Sequence, residues 1–153
     1  MFATIRSLTV LVALHAGVGF CDPPKSDPVR QPNSDLKNLQ GVWTATDFRI
    51  GGVPADYGGK ELIYVFRDGK VKIYLDRREL AIFYVSLTSY NKPPTIDFTG
   101  DGDDVVRMLG AGKGIYALDG DKLTLSFNPI SKRRPKEFNW GSRAWTMTLE
   151  RSE

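Results

Sequence analysis

From residue 39 onward, apolar and polar positions alternate with a period of two, the pattern of half-buried strands and not of amphipathic helices. Val42, Thr44, Thr46, Phe48 and Ile50 alternate with Trp43, Ala45, Asp47 and Arg49, predicting a long first strand with one apolar face that Gly51-Gly52 ends. Leu62, Tyr64 and Phe66 against Ile63 and Val65 predict a strand over Glu61 to Phe66. Val71, Ile73 and Leu75 against Lys70, Lys72 and Tyr74 predict its partner, and the intervening Asp68-Gly69 reads as a hairpin turn. Leu80 to Leu87 reads as a further strand, nearly apolar on both faces. Thr95 to Phe98 is a short one, placed after Pro93-Pro94, which cannot sit inside a central ladder.

The same period continues downstream. Val105 to Leu109 predicts a weak strand, interrupted by the glycine-rich bend at Gly110 to Gly114. Gly114 to Leu118 pairs with Lys122 to Phe127 across Asp119-Gly120, with Leu123, Leu125 and Phe127 inward. Trp145, Met147 and Leu149 form the inward face of the last strand. No segment predicts an amphipathic helix of average length, although Ala55 to Lys60 suits a single turn of one. About eight short strands joined by hairpins define an all-β chain, a single up-and-down antiparallel β-barrel. At its two ends stand Gly41-Val42-Trp43 and Leu149-Glu150-Arg151. An indole covering the bottom of the core, with a guanidinium stacked on it and reaching backbone carbonyls, closes one end of such a barrel. Gly41, Trp43 and Arg151 are therefore read as closure residues, and a ligand entrance belongs at the opposite end.

The remainder of the chain divides around this barrel. Residues 1–21 carry Arg6, an apolar run from Leu8 to Val18 and then small residues, the pattern of a cleaved signal peptide. The apolar run falls short of the about 20 residues needed to span a bilayer, so no transmembrane span is expected. Cleavage fits either Gly19 or Cys21. Val18-Gly19-Phe20-Cys21 partly matches a lipoprotein box, but Phe20 stands where that box takes Gly or Ala. Residues 22–35 are rich in Pro and charge and read as a flexible lead-in, which leaves 36–153 as one domain. A secreted or periplasmic monomer is the expected product.

Composition then removes whole classes of chemistry. The chain has one His and one Cys among 153 residues, and both (His15 and Cys21) fall in the leader. Ser-His-Asp and Cys-His nucleophilic catalysis are closed to the mature domain, as are the usual zinc, copper and haem ligand sets. No cofactor and no metal are expected. The formal net charge of +3 gives no strong field, and nucleic acid is not an expected partner of an exported chain.

Several stretches taken together carry a family resemblance: Leu39-Gln40-Gly41-Val42-Trp43, Pro94-Thr95-Ile96-Asp97, the run Gly114 to Leu123, Arg134-Pro135-Lys136-Glu137-Phe138 and Leu149-Glu150-Arg151. In that order they resemble a lipocalin-like domain family of unknown function expanded in planctomycete bacteria, with the Gly-x-Trp and Arg pattern of the calycins, over about residues 36 to 151. The resemblance implies the barrel and export, and it brings no catalytic residues. Where members of that family are expected to carry a Cys after the Gly-Asp-Lys turn, this chain has Ser126, which removes a thiol role.

An eight-stranded barrel can be filled by side chains or hold one small ligand. Tyr64, Phe66, Phe83, Tyr84, Phe127 and Trp145 are the candidate lining, as core packing or as the wall of an apolar site, with the hydroxyls of Tyr64, Tyr74 and Tyr84 as its candidate polar groups. Asp97 and Gly100 to Asp104 form an acidic turn whose spacing fails as an EF-hand, because Gly112 stands where a bidentate Glu is required. Lys132-Arg133-Arg134 reads as an exposed basic loop. The expected function is an exported, non-enzymatic binding module for a small apolar molecule. The alternative is a structural or protein-interaction module of the cell envelope with a filled barrel, contacting an envelope protein or polymer, with Trp140 as a contact. A carboxylate-only hydrolase drawing on Asp97, Asp103, Asp119 or Glu137 is the least favoured reading, since Asp in turns is explained by backbone hydrogen bonding.

Overall fold

The computed structural model describes residues 32–100, 112–128, 133–138 and 144–152. Its elements are α1 (Pro32–Leu39), β1 (Gly41–Ile50), β2 (Val53–Pro54), β3 (Leu62–Arg67), β4 (Lys70–Leu75), β5 (Arg78–Thr88), β6 (Thr95–Thr99), β7 (Gly112–Asp119), β8 (Lys122–Phe127) and β9 (Trp145–Ser152). All strand pairs are antiparallel, in the order β2-β1-β3-β4-β5-β6-β7-β8-β9, and β9 returns to pair with β1. Eight strands thus close an up-and-down barrel, and β2 is a short extra strand on the edge of β1. The expected signal peptide at 1–21, the expected strand Val105 to Leu109, the acidic turn at 101–104 and Trp140 lie outside the described residues.

Local chemistry sets the hairpins. Asp68 and Gly69 both have positive φ (53° and 72°), which matches the strand twist as a two-residue primed turn does. Asp76 and Arg77 do the same between β4 and β5 (50° and 69°) without a glycine to advertise it. Expected strand limits there begin at Leu80, whereas β5 begins at Arg78.

The expected face of β1 needs correction. The register of β1 against β9 shifts between Ala45 and Asp47, a β-bulge in which one extra residue turns the strand over. Trp43 and Phe48, five positions apart and on opposite faces of a regular strand, are therefore both buried inside, while Val42 and Ile50 are exposed. A helix also stands where a flexible lead-in was expected: α1 overlaps residues 32–35. Its folding is driven from a distance, since Leu39 is buried and the Asp35 carboxylate accepts a 2.6 Å hydrogen bond from Tyr116 Oη on β7. No described helix is long and apolar enough to cross a membrane.

The core lies inside the barrel. Trp43, Leu62, Tyr64, Phe66, Val71, Ile73, Phe83, Ile96, Phe98, Leu123, Leu125, Phe127, Met147 and Leu149 all turn inward and are buried. A second buried row lies outside. Thr95, Ile115, Ser126 and Thr146 are register neighbours across β6 to β9 on the opposite side of those strands from the core, and all four are buried. Thr146 Oγ1 donates to Ser126 Oγ at 3.2 Å, so Ser126 serves as a packed hydroxyl.

Candidate functional site

Strand directions place α1, Trp43, Arg151 and the turns at Asp68-Gly69 and Gly120-Asp121 at one end. Phe48, Trp145 and the 51–61 connection stand at the other.

The first end is shut. Trp43 is fully buried, and its indole N–H donates to Leu39 O at 2.8 Å. The Arg151 guanidinium stacks 4.2 Å above the indole, donates to Gln40 O at 2.6 Å and Asn38 O at 2.7 Å, and pairs through Nε with Asp121 at 2.8 Å. Those carbonyls lie at the C-terminal end of α1, where unsatisfied acceptors and the negative end of the helix dipole both favour a cation. Gly41 is required here twice over. Its φ is +124°, and a Cβ would stand 2.9 Å from Arg151 Nη1. Beside this plug lies a polar recess of about 500 Å³ lined by Ser34, Asp35, Asn38, Leu118, Gly120, Asp121 and Arg151.

Of the six lining candidates, Tyr64, Phe66, Phe83 and Phe127 are buried inside and Trp145 is half-buried at the far rim. Phe98, an aromatic residue that the sequence reading passed over, joins them. Its ring centroid lies 6.3 Å from Phe66, 5.9 Å from Phe83 and 4.9 Å from Phe127, so one set of stacked and tilted rings fills that part of the lumen. Phe127 also fixes Gly114, which faces it across the β7–β8 pair; a Cβ there would lie 2.5 Å from Phe127 Cδ1.

Tyr84 is a correction. It is 61% exposed on the outside of β5, with the Lys70 ammonium 5.2 Å above its ring, because Phe83 takes the inward position and successive side chains alternate. Tyr74 faces outward as well and donates to Glu79 at 3.2 Å. Tyr64 alone of those three tyrosines places its phenol in the interior.

Tyr64 is 1% exposed, and among the described residues its hydroxyl has no hydrogen-bond partner. Burial pushes its pKa well above the ordinary 10.0, and the nearby Tyr57 phenol adds to the rise. Tyr57, which sequence reasoning missed, belongs to the connection between β2 and β3. It stacks on Phe48 at 4.9 Å, Phe48 meets the Trp145 ring edge-on at 5.5 Å, and burial raises the Tyr57 pKa also. A recess of about 170 Å³ adjoins this pair, lined by Ala45, Thr46, Asp47, Phe48, Ala55, Asp56, Tyr57, Gly59 and Lys60. It exists because β1 pairs with β3 only over Gly41 to Thr44; beyond the bulge the two strands part and the 55–60 chain fills the gap.

The charged candidates are otherwise employed. The Arg134 fork grips the Asp97 carboxylate at 2.7 and 3.0 Å and also donates to Ile96 O and Gly114 O, tying the β8–β9 connection to β6 and β7. Arg134 is therefore a clamp on the barrel wall and not part of a free basic loop. Asp119 is exposed at the end of β7, and Asp103 lies outside the described residues. Among the described residues no group of three His, Cys, Asp or Glu is placed to hold a metal ion. Compared with known proteins, the chain matches no family model, no curated protein and no solved structure.

Proposed function

We propose that the chain is an exported, lipocalin-like, non-enzymatic binding module that takes a small, mostly apolar molecule at the end of the barrel opposite Trp43 and Arg151. The observation that carries this reading is Tyr64, whose side chain is 1% exposed inside the barrel, with the Tyr57 phenol nearby and no hydrogen-bond partner for its hydroxyl among the described residues. The Tyr64 oxygen is not among the fully enclosed side-chain atoms of the described residues that lack a hydrogen-bond partner, so it remains open to a small molecule where Phe would offer no polar group. A ligand that accepts or donates one hydrogen bond there is selected over one that does not. The recess of about 170 Å³ beside Phe48 and Tyr57 is open to solvent and bordered by Asp47, Asp56 and Lys60; it reaches Tyr57 and not Tyr64, and its size suits a ligand of one ring. Native mass spectrometry of the protein purified from its own host is expected to show a bound molecule of that size; a barrel that is empty in every preparation refutes the reading.

The rings of Phe66, Phe83, Phe98 and Phe127 favour a second reading, a filled barrel acting as an envelope interaction module. They leave a large lipophile no room in that part of the lumen, so the two readings part on whether any small molecule is held at the open end.

A further inference from the structure

The barrel covers one outer row with its own chain and leaves another bare. Over β6 to β9 the row of Thr95, Ile115, Ser126 and Thr146 is buried, and Arg134 ties the β8–β9 connection to the same wall. Over β1 to β5 the opposite holds. Val42, Val65, Lys72 and Ile82 are successive register partners on the outer face; Val42 is 38% and Ile82 42% exposed, and Tyr84 lies one position along at 61%. Ile63 and Tyr74 continue the same face half-buried.

Antiparallel sheets that face water carry polar outward residues, so a run of this kind marks a contact surface. Glu79 lies on the same face, paired with Lys72, and Arg67 and Lys70 add cations beyond that pair. Arg67, Lys70 and Lys72 border it, and among the described residues only Lys72 has a carboxylate, that of Glu79 at 3.2 Å. Lys70 instead lies over the Tyr84 ring. Exposed aliphatic groups, a tyrosine and unbalanced cations on long apolar stems suit the interface of an anionic bilayer, where the rings sit among headgroups and the ammonium groups reach lipid phosphate.

We propose that the outer face of β1, β3, β4 and β5 docks on an anionic lipid surface through Val42, Ile82, Tyr84, Lys70 and Arg67. This inference is independent of the ligand reading, because it uses the outside of the wall and not the lumen.

The test uses the full chain with vesicles of phosphatidylcholine, with and without phosphatidylglycerol. Partition is read by co-sedimentation, and lysine acetylation by mass spectrometry reports contact. Lys70 and Lys72 are expected to be protected at least threefold relative to Lys113 on β7 when phosphatidylglycerol is present. Arg67→Gln with Lys70→Gln is expected to lower partition at least tenfold, following about fivefold per basic residue near the surface. Ile82→Ser with Tyr84→Ser, both exposed and so compatible with folding, is expected to lower it at least fivefold. Equal acetylation of Lys70 and Lys113 overturns the proposal, including where the chain binds vesicles through residues 1–21. Binding indifferent to phosphatidylglycerol overturns it too, as does a lipid-free dimer that Tyr84→Ser dissociates, which would assign the face to a second copy.

Discussion

Replacing Arg151 with Met removes the charge from the plug while leaving a long apolar side chain over the Trp43 indole. Three contributions go with it. Stacking of the guanidinium on a buried indole is worth about 0.5–2 kcal/mol. The two carbonyl contacts, Gln40 O at 2.6 Å and Asn38 O at 2.7 Å, are bonds to a charged donor, and at this half-exposed site each contributes about 1 kcal/mol, below the range for fully buried ones. The Asp121 pair adds little, because that carboxylate is largely in water. Arg151→Met should therefore destabilise by about 2–4 kcal/mol. Urea unfolding followed by far-UV circular dichroism measures this. Arg151→Lys is expected to recover less than half of the loss, since an ammonium cannot serve both carbonyls and stack as well. Asp121→Asn should cost under about 1 kcal/mol. A loss below about 1 kcal/mol for Arg151→Met would refute closure by the Trp43–Arg151 pair.

Other consequences are as direct. Gly114→Ala forces a methyl group into the Phe127 ring, with the Ser126 carbonyl 2.9 Å away, and should cost about 1–3 kcal/mol; in a Phe127→Leu background that cost should fall by more than half, and equal costs in the two backgrounds would contradict the packing. Arg134→Gln breaks the fork on Asp97 and should speed hydrogen exchange in β6 and β7 before any other strand pair; uniform acceleration around the barrel would contradict the clamp. Tyr57 and Tyr64 have pKa values raised above the ordinary 10.0, so the folded state holds protons that the unfolded state gives up. Their contribution is complete below pH 10 and declines as pH rises past it. The urea midpoint should drop between pH 9 and 11, less steeply in Tyr64→Phe, and parallel profiles would contradict that.

Much of this barrel is legible in the chain because alternation with a period of two is a local signal. Leu62, Tyr64 and Phe66, and Leu123, Leu125 and Phe127, point inward as their spacing predicts. The departures arise where non-local contacts decide. Nothing in the alternation of β1 announces the bulge that turns Phe48 inward; it follows from pairing with β9, a hundred residues away. The eight residues of α1 have two leucines, too few for an amphipathic pattern, and are fixed by Tyr116, Trp43 and Arg151. Leu80 to Leu87 is apolar at nearly every position, so periodicity could not say that Phe83 enters the barrel and Tyr84 leaves it. Tyr57 lies in an irregular connection, where no period exists to read, and Arg134 was hidden among neighbouring cations until its partner Asp97 was known.

The central claim is that the barrel binds a small apolar molecule through the Tyr64 hydroxyl, and its most direct test is calorimetric titration of the wild type and Tyr64→Phe with acetophenone and ethylbenzene. These two probes differ in a single hydrogen-bond acceptor. The account predicts that the wild type prefers acetophenone by about fivefold, the worth of one hydrogen bond near 1 kcal/mol, and that Tyr64→Phe abolishes the preference. No heat with either probe, or a preference that survives in Tyr64→Phe, would contradict it.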